Sequence, residues 1–580
     1  MPPGYHGCYL RIDLSVGRAE RVSLPDAVLR QYLGGSGLGA ALLLEEGAAA
    51  ADPLSPEAPL VFAFSPLVGS PLTTSAKFAV VSRSPLTGRF NDSLASSGFA
   101  IAGKRCGCDA IVIVGRADAC SVLVVDDGEA RLETADDVRG EACHVAEEKL
   151  RLRLGADFRI ASIGPAGERA VRYATISHDG RHAGRGGSGT VLGSKNLKAI
   201  AVRGSQRCEW ARPDELIELS RDLSRRSFGP ATAKYRELGT ATNLLTFNRF
   251  GTLPTRNFQS GTFEGAARLS PEQLDAGRAR TRASCVACTI GCEHIYPLGD
   301  SGVRIEYESL FALGSLCGVS DGDAVLRATR RCDELGIDTI STGGTIAFAM
   351  ECVERGLVDE PWLRFGSGDA VLKAIELIGA REGLGNLLAE GSRRAASAIG
   401  RGSIAFAPQV KGLEIPGYEP RALQTMALGF AVGARGADHN RSGAYEVDFS
   451  NKVNRRHATL ESVGHAIETE DRAALMDSLI LCKFLRGVFT DFYGESAAML
   501  RAVTGWDVTG DELRETARRI VAAKRRINVL AGWTPEEDTL PDRFLDTPLR
   551  TDPGAVLTRE RLQELVAEYH RQRGWHARGQ

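Results

Sequence analysis

The chain has 580 residues, 43% of them hydrophobic and 25% charged, with a formal net charge of −2. That length exceeds what one hydrophobic core organises and predicts two or three packed domains, while the near-neutral charge excludes the basic footprint of a nucleic-acid-binding protein. No apolar run reaches the roughly 18 residues that span a bilayer, and the start, Met1-Pro-Pro-Gly, has no basic segment leading into an apolar one, so no membrane partner and a cytoplasmic location are expected.

From residue 1 to about 205 the sequence is built of short apolar or alternating runs bounded by Gly, Pro and Asp. Tyr9–Asp13, Leu60–Phe64, Phe78–Ser82, Ala110–Val114, Ser121–Val125 and Ala199–Arg203 read as strands. Beyond about 210 the spacing turns helical, in Pro213–Leu223, Asp323–Leu335, Thr342–Arg355 and Asp511–Leu530, several with acidic starts and basic ends. The change near 210 and the Gly-Pro-rich stretch Gly412–Pro420 divide the chain into a β-rich domain over 1–208 and two mainly helical domains over 209–416 and 417–580. The fold class expected is α+β and multidomain.

Thirteen cysteines, an odd number, argue against a disulfide framework and favour ligation wherever thiols gather. They gather at Cys285-Val-Ala-Cys288-Thr-Ile-Gly-Cys292. Three thiolates so close converge on one inorganic core if the backbone wraps around it, and Gly291 tolerates such a wrap. A [4Fe–4S] cluster needs a fourth ligand, and Cys482 is the candidate, in the apolar helical stretch Asp477–Leu485. Zinc held by the three cysteines and His294 is the alternative. Asp477 is costly on an apolar segment unless hydrogen-bond donors meet it, and Asp333-Glu-Leu-Gly336-Ile337-Asp338 repeats the pattern of an acid followed by a ligand-capable residue.

The segment Arg181–Lys198 combines close glycines with Arg181, Arg185, Lys195 and Lys198, which suits a phosphate-bearing cofactor. It is neither a Walker A loop nor a clean dinucleotide fingerprint. Glu306 and Glu308 follow the cysteines closely, and Arg435–Arg441 sets His439 among charges. A histidine that donates to a carbonyl oxygen and a carboxylate that takes a proton from water form a competent acid–base pair. His178, His182, His457 and His465 are further candidates.

Together with Tyr32–Gly39, Ser84–Gly88, Gly184–Gly187, Gly193–Ile200, Cys332–Gly344, Ile415–Arg421 and Asp538–Phe544, these segments resemble the aldehyde ferredoxin oxidoreductase family over nearly the whole chain. The resemblance implies an N-terminal β-rich base under a tungsten- or molybdenum-bispterin, covered by two helical domains. It implies Cys285, Cys288, Cys292 and Cys482 as ligands of one [4Fe–4S] cluster, and Glu308 and His439 as catalytic residues. Cofactor contacts would come from Lys77, Asn91, Ala183, Gly184, Arg185, Gly186 and Gly187. Asp333, Gly336, Ile337, Asp338, Asp477 and Leu481 would complete them, with Mg2+ as a candidate bridge between the pterin phosphates.

The activity implied is oxidation of an aldehyde with water to a carboxylic acid, with electrons passing to ferredoxin or a partner subunit. A catalytic subunit of a multi-subunit tungsten reductase, acting for example on an aromatic acyl thioester, is one alternative; a zinc- or cluster-binding protein without turnover is another. Four positions depart from the family pattern. Arg327 and Arg330 stand where a dimer-bridging iron is bound, so that site is expected to be absent. Lys77 replaces an arginine, and Ile480 replaces a glycine.

Overall fold

A computed structural model describes residues 1–275 and 279–575. The first sheet comprises β1 (Cys8–Asp13), β2 (Arg18–Ser23), β3 (Leu60–Ala63), β4 (Lys77–Arg83), β5 (Phe90–Ser96) and β6 (Ala110–Val114), in the order β2-β1-β6-β3-β4-β5. The second comprises β7 (Ser121–Asp126), β8 (Glu129–Thr134), β9 (Arg159–Ser162), β10 (Ile176–His178), β11 (Arg181–Ala183) and β12 (Leu197–Arg203), in the order β11-β10-β9-β12-β7-β8. Only the β1–β6 and β7–β12 pairs are parallel.

Side chains alternate across a strand, so the run Ala110-Ile-Val-Ile-Val feeds two cores at once. Ile111 and Ile113 join Leu60, Phe62 and Phe78 in a core shared with Ile176 and Ile200 of the second sheet, which places the two sheets face to face. Val112 and Val114, with Val61 and Val81, pack instead against α1 (Gly35–Glu45). All six strands expected from the sequence are present, with ends shifted by a residue or two.

Further helices that position the site are α2 (Ser188–Ser194), α3 (Pro213–Ser227), α4 (Pro230–Leu238), α5 (Gly322–Leu335), α6 (Thr339–Glu354), α7 (Leu460–Leu479) and α8 (Gly510–Leu530). Their starts are capped by side chains that satisfy the first free N–H groups: Asp321 for α5, Asp338 for α6 and Thr509 for α8, with a reciprocal Thr459–Ser462 box for α7. One large apolar core draws residues from both sides of position 416, among them Phe311, Phe348, Phe430 and Leu565. Among the described residues no single helix is long and apolar enough to cross a membrane.

The part after 210 is mainly helical, as expected, and also holds strands that the sequence did not announce. β13 (Thr281–Ala283), β14 (Glu293–Leu298) and β15 (Ser301–Ile305) form a small antiparallel sheet. These strands are too short and too charged to carry a period-2 signal, and only their pairing creates them.

Candidate active site

Ala283 pairs with Glu293 across β13 and β14, which pinches the segment holding Cys285, Cys288 and Cys292 into a closed loop. Ala287 (φ 53) and Gly291 (φ 61) make its left-handed turns. Cys482 is not on a helix, contrary to the apolar spacing. α7 stops at Leu479 because Ile480 turns left-handed (φ 65, ψ 31), and Cys482 follows in extended backbone. Thr74 ties the two segments together. Its N–H donates to the Ala287 carbonyl at 2.6 Å, and its hydroxyl accepts from the Cys482 N–H at 3.3 Å.

Burial pushes the Cys288 thiol up to about 11, and the neighbouring Cys482 and Cys285 add to the rise. Cys292 moves the same way for the same reasons, so the four sulfurs share one electrostatic neighbourhood. Among the described residues no three ligand side chains are grouped closely enough to hold one metal ion; four thiolates drawn together there would need a cationic core to offset their repulsion. His294 Nε2 meets the Tyr235 carbonyl at 3.1 Å, and its Nδ1 is buried without a hydrogen-bond partner.

The two acid-bearing segments are two copies of one helix end. In α5, Asp333 lies in the last turn, Gly336 is left-handed (φ 71, ψ 53), and Asp338 caps α6. In α7, Asp477 lies in the last turn, Ile480 takes the same conformation, and Cys482 follows. Ile337 N–H bonds the Cys332 carbonyl at 3.0 Å, and Leu481 N–H bonds the Met476 carbonyl at 2.8 Å, so even the terminal hydrogen bond repeats. Asp333 meets His182 Nε2 at 3.1 Å. Asp477 is buried, with Lys483 Nζ at 2.9 Å and Arg441 Nη1 at 3.3 Å.

Between these helix ends lies a buried charge network centred on Asp92, a residue the sequence reading missed. Arg441 Nε reaches its carboxylate at 2.7 Å, Lys524 Nζ at 2.8 Å and Arg435 Nη1 at 3.7 Å. Burial alone would raise this carboxyl, yet the three cations hold it well below the usual range. Nothing local marks Asp92, because its cationic partners lie more than 300 residues away. Asp438 extends the network: it stands 3.3 Å from Arg435 and 3.8 Å from Arg185, which in turn meets Asp338 at 3.3 Å.

The glycine-rich segment departs from the phosphate-cradle expectation. Lys195 and Lys198 are buried, with Nζ atoms spent on the Pro56 carbonyl and on Glu168 respectively. Arg181 pairs with Glu293. These three cations thus anchor the fold, and of the four only Arg185 turns into the charge network. Gly186 and Gly187 are required by left-handed φ and by space, since a Cβ on Gly186 would overlap Asn91 Oδ1 and one on Gly187 the Arg172 carbonyl. Gly184 faces open space. Ala183 packs into the core between the sheets and Leu481 into the apolar cluster beside the cysteines. Lys77, at the start of β4, has no charged partner among the described residues. His178 is fully buried with neither ring nitrogen partnered, its ring 4.9 Å from that of Phe78.

Glu308 lies within a short helical turn, Tyr307–Ser309, that continues into a π-helical stretch, Leu310–Gly314. Its Oε2 accepts the Gly417 N–H at 3.1 Å, and its Oε1 stands 3.5 Å from His439 Nδ1. Burial pushes the Glu308 carboxyl up to about 8 and the His439 imidazole down to about 3. At neutral pH the proton therefore rests on the glutamate and the imidazole is uncharged. His439 stacks on Tyr418, with centroids 4.9 Å apart. Glu306 is turned outward towards Arg304.

The family models of the aldehyde ferredoxin oxidoreductases match this chain twice: the N-terminal domain over residues 9–204, and domains 2 and 3 over residues 219–580. The chain belongs to the aldehyde ferredoxin oxidoreductase family. Within that family of oxidoreductases it is 36% identical to the tungsten-containing aldehyde ferredoxin oxidoreductase of Pyrococcus furiosus, covering 99% of this chain and 96% of the relative. It is 28% identical to the WOR-like subunit of an aliphatic sulfonate oxidoreductase from the same organism, over 99% and 95% of the two chains. The family fold extends to the active site complex BamBC of benzoyl coenzyme A reductase in complex with 1,5-dienoyl-CoA. That structure superposes with a TM-score of 0.86 at 23% identity, covering 100% of this chain and 95% of the other.

Proposed function

We propose that this protein oxidises an aldehyde with water to a carboxylic acid at a tungsten- or molybdenum-bispterin centre, and passes the electrons through one [4Fe–4S] cluster to ferredoxin or a partner subunit. The observation that carries the reading is the buried Glu308–His439 pair, 3.5 Å apart, beside the Asp92–Arg441–Asp477 network. Identity of 36% to a tungsten aldehyde enzyme over 99% of the chain supports it.

Buried polar atoms near the charge network fit a pterin. Asn91 Oδ1 and the Nε and Nη2 of Arg435 are buried without hydrogen-bond partners in the protein. They offer acceptors and donors to a pterin, a group that carries both, and such orphans are costly otherwise. Asp333 to Asp338 and Asp477 to Leu481 would hold one pterin each, Lys77 and Gly184 to Gly187 would lie alongside, and the four cysteines would hold the cluster. When bound, the metal centre and the cluster supply two-electron oxidation of the substrate and one-electron conduction away from it.

The chain's own residues handle the protons. Neutral His439 is a hydrogen-bond donor for the aldehyde oxygen, and Glu308 takes a proton from water once ionised. A base that titrates near 8 is matched to this task at physiological pH. Its ionised fraction grows as pH rises towards 8, so the rate is expected to climb over that range and then level off. Glu308→Gln removes the base, and a loss of about 10²–10⁴-fold in kcat with metal content intact is expected.

The test is metal and sulfide analysis of anaerobically purified protein, joined to an aldehyde panel with a viologen acceptor. About four irons and one tungsten or molybdenum per chain, with aldehyde oxidation, is the expected result. Zinc alone would reject an oxidoreductase, and reduction of an aromatic acyl thioester with inert aldehydes would reassign the substrate.

A further inference from the structure

The carboxyl of Glu308 and the ring of His439 both meet one tight turn, Pro416-Gly417-Tyr418. The Tyr418 N–H closes on the Pro416 carbonyl at 2.6 Å, which makes a three-residue turn with Gly417 at its centre. From that turn the Gly417 N–H reaches Glu308 Oε2 at 3.1 Å, and the Tyr418 ring stacks on His439. Glu308 Oε1 and His439 Nδ1 are left facing each other at 3.5 Å, and neither has a hydrogen-bond partner in the protein. The turn therefore fixes which oxygen of the carboxyl is held and which is free.

Tyr307, the neighbour of Glu308 in the chain, pins this turn. Its hydroxyl donates to the Gly417 carbonyl, and its ring fills the space beside the glycine, where a Cβ would stand 2.6 Å from Tyr307 Cε1. Tyr307 is 2% exposed and belongs to the large apolar core, with its ring edge-on to that of Phe247 at 5.0 Å. A hydroxyl buried there is costly unless it is bonded, and the Gly417 carbonyl is the acceptor it finds. The N–H and C=O of one glycine are thus shared between two consecutive residues, Glu308 and Tyr307.

We infer that Tyr307 is a positioning residue: through the 416–418 turn it keeps the Gly417 N–H on Glu308 and the free carboxyl oxygen towards His439. The inference rests on the reading of Glu308 as the base. Around that carboxyl stand Arg185, Asp338, Asp438 and His439, together with the hydroxyls of Tyr307 and Tyr418. The Gly417 N–H favours the ionised carboxyl against the burial that opposes it. A turn that slips withdraws this support, and Glu308 then ionises at higher pH.

The test is Tyr307→Phe in the full-length holoenzyme, which keeps the ring and removes only the hydroxyl. Its control is Tyr5→Phe, which removes a buried hydroxyl bonded to the Leu33 carbonyl at 2.7 Å beside the first sheet. Each variant loses one buried hydrogen bond, so a general loss of stability acts on both. In Tyr307→Phe, kcat with a viologen acceptor is expected to fall about tenfold with KM little changed, and the rise of rate with pH to begin about one unit higher. An infrared pH titration reads Glu308 without turnover. Its carboxylic-acid carbonyl band, assigned by its absence in Glu308→Gln, should persist to correspondingly higher pH in Tyr307→Phe. Tyr5→Phe should move neither the profile nor the band. A band and a profile unmoved in Tyr307→Phe, or moved as far in Tyr5→Phe, overturn the inference. Failure to oxidise any aldehyde would fall on the proposed function alone, because the infrared titration is independent of turnover.

Discussion

The ends of α5 and α7 share an acid in the last turn, a left-handed residue three positions on and a ligand-capable residue two positions after that, yet they differ in what surrounds them. Asp333 keeps 34% of its side chain accessible and pairs with His182, whereas Asp477 keeps 1% and pairs with Lys483 and Arg441. The pivot differs too. Gly336 takes a conformation that costs glycine nothing, while Ile480 holds a β-branched side chain in a region that disfavours it by about 1–2 kcal/mol. Ile480 is tolerated because Gly35, packed against it, leaves the volume its side chain fills. One local backbone motif thus has two energetic contents, and the neighbours set them.

Four substitutions break or sharpen this contrast. The largest effect is expected from Asp477→Ala, which leaves Lys483 and one face of Arg441 buried without their anion; a loss of roughly 3–5 kcal/mol in chemical denaturation would match a buried pair losing one member. Next comes Gly336→Ile, which imposes the α7 pivot on α5. A Cβ there stands 2.8 Å from the Gly164 backbone nitrogen and 2.9 Å from Cys143 Sγ. Overpacking added to left-handed strain predicts about 2–5 kcal/mol of destabilisation.

The reverse exchange, Ile480→Gly, relieves the strain but empties a buried site, and the packing loss outweighs the relief by about 1–3 kcal/mol. A more stable variant would show that strain, not packing, dominates this helix end. The smallest effect is expected from Asp333→Asn, within about 1 kcal/mol, since its partner is reached in partly solvated surroundings. A loss as large as that of Asp477→Ala would erase the distinction between the two ends.

Much of this was legible in the residues. Six of the twelve strands of the two sheets announce themselves as runs bounded by turn formers, and several helices by their spacing. The cysteine turn, both acid-bearing segments, Glu308 and His439 are visible as motifs. The sheet β13–β15 was not, because three short charged strands have no periodic signature until they pair. Lys195 and Lys198 were misjudged as anion ligands, since proximity to glycines in sequence does not tell which way a long side chain turns. Asp92 left no local trace at all.

By itself the sequence determined the six most apolar strands, the long helices and the inventory of thiols, acids and imidazoles, because backbone sterics and side-chain periodicity act over a few residues. Only the tertiary structure decided that Cys482 shares Thr74 with the cysteine turn, that Asp477 and Asp92 share Arg441, and that the proton of the Glu308–His439 pair rests on the glutamate. Desolvation and charge pairing depend on what lies within a few ångströms in space, and those neighbours come from hundreds of residues apart along the chain.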